Sequence, residues 1–238
     1  MPFLFFDPRY LLLMAPALLF ALWAQWKVTS TYRKYSQVRN MQGLTGADVA
    51  RVLMRNEGLS HVSVEQIPGD LTDHYDPRGK IMRLSQGSSQ VPSVAAMAIV
   101  AHELGHAAQD KQGYFWLQVR SGIVGIANIG STLGMILVFV GILVATMAQG
   151  NLTIAWAGVA LMSAAVIFSL VTLPVELNAS SRAREMLIRN GLVTNQEAAG
   201  VSAMLNAAAL TYIAAAAQAV ANLLYYVLLL TGMNRNNE

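Results

Sequence analysis

The chain contains no cysteine. Disulfides and thiolate-ligated metals are therefore excluded, and the composition fits a reducing compartment. Charge is also scarce. Asp, Glu, Lys and Arg make up 12% of the residues, where soluble domains usually carry ~25%. There are only four histidines. The net charge of +3 is not arranged as a basic stripe with interleaved aromatics, so no nucleic-acid partner is expected. No low-complexity linker and no strong internal repeat is visible.

Apolar side chains fill the space instead, at 55% of the sequence. Ser121 to Gln149, Leu152 to Leu173 and Ala198 to Met233 each lack any charged residue. The last begins amphipathic, and its spanning part is placed at Ala207 to Thr231. Tyr10 to Trp26 is uncharged over 17 residues, the short end of what crosses a bilayer, where about 20 are usual. Four transmembrane helices follow. A soluble helical core of this size does not easily absorb three such runs. The first segment is read as a retained anchor, because strong positive charge follows it (Lys27, Arg33, Lys34, Arg39) and no clear cleavage site does. No charge lies in the middle of a segment, which weighs against an ion or proton transporter.

Charge placement also predicts orientation. Of 16 Lys and Arg, 11 lie from Lys27 to Arg120 and three, Arg182, Arg184 and Arg189, between the third and fourth segments. Arg9 and Arg235 flank the ends, and the loop between the second and third segments has none. The positive-inside rule then places both basic loops in the cytoplasm and both termini outside. The expected fold class is an α-helical membrane protein with about four transmembrane helices and a small α+β zincin-like cytoplasmic domain. Its expected parts are an anchor at 1–28, a catalytic domain at 29–120, two transmembrane helices at 121–173, a second cytoplasmic loop at 174–206, and a fourth transmembrane helix with a short tail at 207–238.

Half of the histidines sit in one pentapeptide, His102-Glu103-Leu104-Gly105-His106. The alanine-rich run before it reads as a helix, with Pro92 suited to a first helical turn. Two histidines four apart on a helix share a face and can ligate one ion. The intervening glutamate can take the proton from a water that attacks a carbonyl. Ligand type points to Zn2+. Such a site needs a third protein ligand from the same side of the membrane. Glu176, just past the third segment, is that candidate, because a carboxylate so close to hydrocarbon needs a reason. An ion pair with Arg182 or Arg184 is the alternative. Asp110, four residues beyond His106, is a weaker candidate. His74 can ligate, line the cleft or donate to a developing oxyanion. Tyr75 and Tyr212 are further candidates for oxyanion or substrate contact. His61 reads as a surface or packing residue.

The motif His102-Glu103-Leu104-Gly105-His106-Ala107-Ala108-Gln109, together with Pro174-Val175-Glu176-Leu177-Asn178-Ala179-Ser180, resembles the YugP family of neutral zinc metallopeptidases. Thr72-Asp73-His74-Tyr75-Asp76-Pro77, Arg83-Leu84-Ser85 and Ala209-Leu210-Thr211-Tyr212 extend the resemblance over nearly the whole chain. In arrangement the family is similar to the membrane gluzincins that include the CAAX prenyl proteases and the heat-shock membrane proteases. The resemblance implies peptidase activity, with Glu176 at the third-ligand position. In those relatives an aspartate follows the ligand by four residues; here Ser180 takes that place, which bears on a carboxylate–histidine contact behind the metal.

Thr45 to Glu57 reads as an amphipathic helix, capped by Thr45, with Asp48 in its first turn and Gly58 at its end. Val62 to Glu65 and Lys80 to Ser85 read as short strands, the second after a turn at Asp76 to Gly79. An edge strand near the metal can hold an extended peptide by main-chain hydrogen bonds; a plain structural hairpin is the alternative. Glu176 to Asn190 is expected to be helical, and Thr194 with Glu197 to cap a helix that runs into the fourth segment. Gly130 and Gly134 form a small-xxx-small pair for close helix packing. The expected activity is zinc-dependent peptide-bond hydrolysis at the cytoplasmic membrane surface. The competing class is a membrane scaffold or assembly factor with a structural zinc site, for which His74 would be a fourth ligand. The expected partners are a peptide or protein substrate and the lipid bilayer, with a regulatory membrane partner or a homo-oligomer left open.

Overall fold

A computed structural model of the chain describes residues 8–147 and 151–235. The first seven residues of the expected anchor, Gln149 at the end of the second segment, and the last three residues of the tail lie outside the described residues. The protein is mostly helical. Its elements run α1 (Pro8–Ser36), α2 (Gly46–Asn56), β1 (Ser63–Ile67), β2 (His74–Asp76), β3 (Ile81–Ser85), α3 (Gln86–Gln90), α4 (Val94–Lys111), α5 (Phe115–Met147), α6 (Thr153–Arg189) and α7 (Asn195–Arg235).

Four helices, α1, α5, α6 and α7, are long and apolar enough to cross a membrane. Their most apolar stretches stay largely uncovered by protein. Only 11% of that stretch in α1 and 33% in α5 is buried, so most of this apolar surface faces outward, as lipid contact requires. The chain divides into two compact units. One comprises Met1–Trp23, Val119–Thr172 and Tyr212–Glu238. Within it, Gly130 and Gly134 on α5 lie against the backbone of Leu161 and Gly158 on α6. A Cβ there would come within 2.9 Å of those carbonyl oxygens, so the small-residue pair serves α5–α6 packing.

The other unit comprises Ala24–Gln118 and Leu173–Thr211, and so joins the motif segment to the stretch around Glu176. Its core gathers Leu53, Met82, Leu84, Met97, Leu104, Leu187 and Met204. α2 starts with a capping box between Thr45 and Asp48. Gly58 and Gly191, at φ +64°, end α2 and α6 in the left-handed conformation that glycine tolerates. The following Leu59 and Leu192 donate their N–H groups back to the Met54 and Leu187 carbonyls. α7 begins with the Thr194–Glu197 box and runs on through the fourth apolar segment. α6 continues through Pro174 to Arg189 without a break.

Three details differ from the sequence reading. α4 begins at Val94, not at Pro92: the Ser93 hydroxyl accepts the Ala96 N–H and caps the helix, leaving Pro92 outside, where its carbonyl accepts the Asn40 N–H. The two expected strands, found as β1 and β3, run parallel, so they are not a hairpin. A third strand, β2, pairs antiparallel with β3 and gives the order β1-β3-β2. The hairpin is thus β2–β3, closed by Asp76 accepting the Arg78 and Gly79 N–H groups.

Thr45→Ala removes the hydroxyl half of the α2 capping box. It should cost about 1 kcal/mol, read as a lower thermal midpoint in detergent with metal content unchanged.

Candidate metal centre

The centre depends on two helices approaching at a glycine. On α4, a Cβ at Gly105 would fall 2.5 Å from the Ala179 carbonyl oxygen of α6. Only a residue without a side chain lets the two backbones come so close. The approach delivers Glu176 to the motif. Glu176 Oε2 lies 3.2 Å from His102 Nε2 and 3.4 Å from His106 Nε2. The three donor atoms converge within 4.8 Å of one another. Two ligand arms of about 2.1 Å at a tetrahedral angle span roughly 3.4 Å, which the two Glu176–histidine spacings match. The donor types fit as well: two imidazoles and a carboxylate.

Both imidazoles are held from behind. Arg182 Nε donates to Asn178 Oδ1 at 2.7 Å, which makes that oxygen the acceptor. The Gln109 side-chain NH2 donates to the same oxygen at 3.0 Å and to the Val175 carbonyl at 2.8 Å. Gln109 Oε1 is then turned to His106 Nδ1, 3.1 Å away, and accepts a hydrogen bond from it. Nδ1 thus keeps its proton, so Nε2 is the nitrogen that would be bare toward a bound ion, while in the ion-free site it can carry a proton to Glu176. Behind His102, the neutral Ser180 hydroxyl lies with Oγ 3.2 Å from Nδ1. Sequence gives Gln109 and Asn178 no role, and offers Arg182 only as an ion-pair partner for Glu176. The signal was available for Gln109, which stands three residues past His106 on the same helix face.

Glu103 is buried beside the cluster. Burial pushes its carboxyl up to about 7, with nearby Glu176 and Asp73 adding to the rise and His102 and the Tyr75 backbone N–H opposing it. Glu176 lies beyond the apolar stretch of α6. Burial works against its charge too, but hydrogen bonds to His102 and His106 outweigh burial and hold it well below the usual carboxylate range. Arg182 and Arg184 hydrogen-bond to Asn178, Gln112 and Asn206.

The remaining candidates are placed as follows. His74 is exposed on β2, with Nδ1 2.9 Å from the Thr72 carbonyl oxygen, and the three-residue cluster does not include it. The Tyr75 hydroxyl donates to Asp110 at 2.6 Å. Asp110 also accepts Lys80 Nζ and stands outside the cluster. His61 is exposed. Tyr212 is half-buried on α7, in the unit that does not contain the cluster.

A family model described as "Putative neutral zinc metallopeptidase" matches residues 10–231. One similar protein, "Putative membrane protease YugP" of Bacillus subtilis (strain 168), is 41% identical over 228 residues, covering 95% of this chain and 99% of that protein. No solved structure matches.

Two outcomes are expected. In metal-stripped protein, neutral Glu103 contributes stability that is complete below its ordinary pKa of 4.5 and is lost as pH rises through about 7. The thermal midpoint should therefore fall between pH 5 and pH 8, and Glu103→Gln should flatten that part of the profile. Gln109→Ala should weaken zinc by about 10- to 100-fold, measured by competition with a chelator.

Proposed function

The chain belongs to the neutral zinc metallopeptidase family, and on that premise we propose a multi-pass membrane peptidase that hydrolyses peptide bonds at the cytoplasmic membrane surface. The observation that carries this reading is the convergence of His102 Nε2, His106 Nε2 and Glu176 Oε2 beside buried Glu103. These three residues would hold the ion, which when bound would supply Lewis-acid chemistry to the scissile carbonyl and the attacking water. Glu103 accepts a proton from water as the water oxygen attacks the carbonyl carbon. As the C–N bond breaks, Glu103 returns that proton to the leaving amine. Burial raises this carboxyl in the ion-free site; a cation beside it would favour the charged form, which is the form that accepts a proton from water.

β2 lies at the sheet edge with β3 as its neighbour. Its outer side runs beside Glu103, which the Tyr75 N–H meets, and an extended peptide laid along it would be aligned by main-chain groups without demanding a particular sequence. The Tyr75 hydroxyl is committed to Asp110. His74, exposed on the same strand, is then the side chain assigned to oxyanion or substrate contact. Residues 29–120 with 174–206 form the catalytic part, and 1–28, 121–173 and 207–238 hold it in the bilayer. Alternation of basic and bare loops supports cytoplasmic placement of the site and external termini. Exposed Trp26 and Trp116, next to Lys27 and Arg120, suit the same membrane–water boundary.

Against a peptide library, the detergent-purified protein should cleave while Glu103→Gln loses about 10²- to 10⁴-fold in rate and keeps its zinc. Cleavage retained by that variant would refute the role of Glu103. Glu176→Ala should lose zinc; unchanged metal content would remove it from the ligand set. The cysteine-free background allows an orientation test with single substitutions at exposed positions. Ser60→Cys should resist an impermeant maleimide in intact cells and Thr153→Cys should react, and the opposite pattern would invert the topology.

A further inference from the structure

Tyr75 meets the motif helix at two points. Glu103 and Asp110 stand seven residues apart on α4, so they share one face, about 10 Å apart along the axis. The Tyr75 backbone N–H interacts with the Glu103 carboxylate. Its phenol reaches back along the helix and donates to Asp110 Oδ2 at 2.6 Å. The same oxygen accepts Lys80 Nζ at 2.6 Å, from the far end of the β2–β3 turn. Lys80 has φ +54°, a left-handed conformation that is strained for a residue with a side chain and free for glycine. A lysine here gives up backbone comfort and places its ammonium on Asp110.

β2 needs such anchors. It is three residues long and pairs with a single strand, and short edges with few ladder bonds open readily. Asp110 is the one acidic residue of α4 besides Glu103, and its carboxylate stands outside the metal cluster. From this arrangement we propose that Asp110 is a positioning residue for peptide hydrolysis. By gripping Tyr75 and Lys80, it fixes β2 against α4, in the register that an extended substrate needs beside Glu103. The proposal rests on the peptidase reading above for its substrate, and on side-chain geometry alone for the clamp.

The test uses full-length, zinc-loaded protein carrying Asp110→Asn, Tyr75→Phe or both, with Lys80→Met as a milder variant at a half-exposed side chain. Amide exchange at residues 74–76 should quicken by about tenfold or more, the scale of losing one hydrogen bond to a charged group. Exchange across His102 to His106 and zinc content should stay as in wild type. KM for peptides long enough to lie along β2 should rise by a similar factor, with kcat changing much less. The double variant should be no worse than the worse single one, because both remove the same contact. Unchanged exchange at 74–76 in all three single variants overturns the clamp, as does a fall in kcat with KM intact. A wild type that cleaves no peptide would sink the peptidase reading, while exchange still decides whether Asp110 holds β2.

Discussion

The contact between Gly105 and the Ala179 carbonyl is the constraint on which the centre depends. A metal site built from two helices needs their axes closer than ordinary side chains allow. Here a glycine inside the motif removes the obstacle, and the neighbouring alanines of α4 keep the seam narrow. Once α4 and α6 touch there, the remaining geometry follows from helix periodicity. Glu176 and Ser180 project from one face of α6, and His102 and His106 from one face of α4. The same seam places Gln109 against the Val175 carbonyl. A bulkier residue at position 105 would separate the third donor from the first two.

The polar residues behind the ligands are mostly neutral. Ser180 and Gln109 steady the imidazoles without adding charge. The Arg182 guanidinium is spent on Asn178 and Gln112. The donor set therefore carries one formal negative charge, on Glu176, with Glu103 as the adjustable second. Donors of low charge preserve the electrophilic character of a bound divalent cation, while a carboxylate behind each histidine would have dampened it.

The parts legible in sequence were those with strong periodicity or strong exclusion. The histidine spacing needed only a helix, and a helix was evident from the alanine-rich run. Glu176 was found because charge is rare next to a membrane segment and because it had to lie on the same side as the motif. The Thr45 and Thr194 caps follow local rules that tertiary packing did not override. β2 escaped notice because three residues cannot display alternation, and because His74 and Asp76 flank its one buried side chain, Tyr75, with polar groups. Its parallel–antiparallel neighbourhood is a long-range property that no local pattern encodes. Pro92 misled because it is compatible with a first turn, yet the adjacent serine makes the better cap. Asp110 was weighed only as a ligand; its partnership with Tyr75 and Lys80 joins residues 30 or more apart.

His102 and Glu176 are 74 residues apart, with α5 and the apolar part of α6 between them. On the ribosome, the histidine pair is therefore complete long before its carboxylate exists. Both intervening apolar helices must emerge and insert before the third donor can return to the first two. A nascent or half-inserted chain thus carries the motif without a finished centre. The order of the chain alone thus sets the order in which the three donors become available.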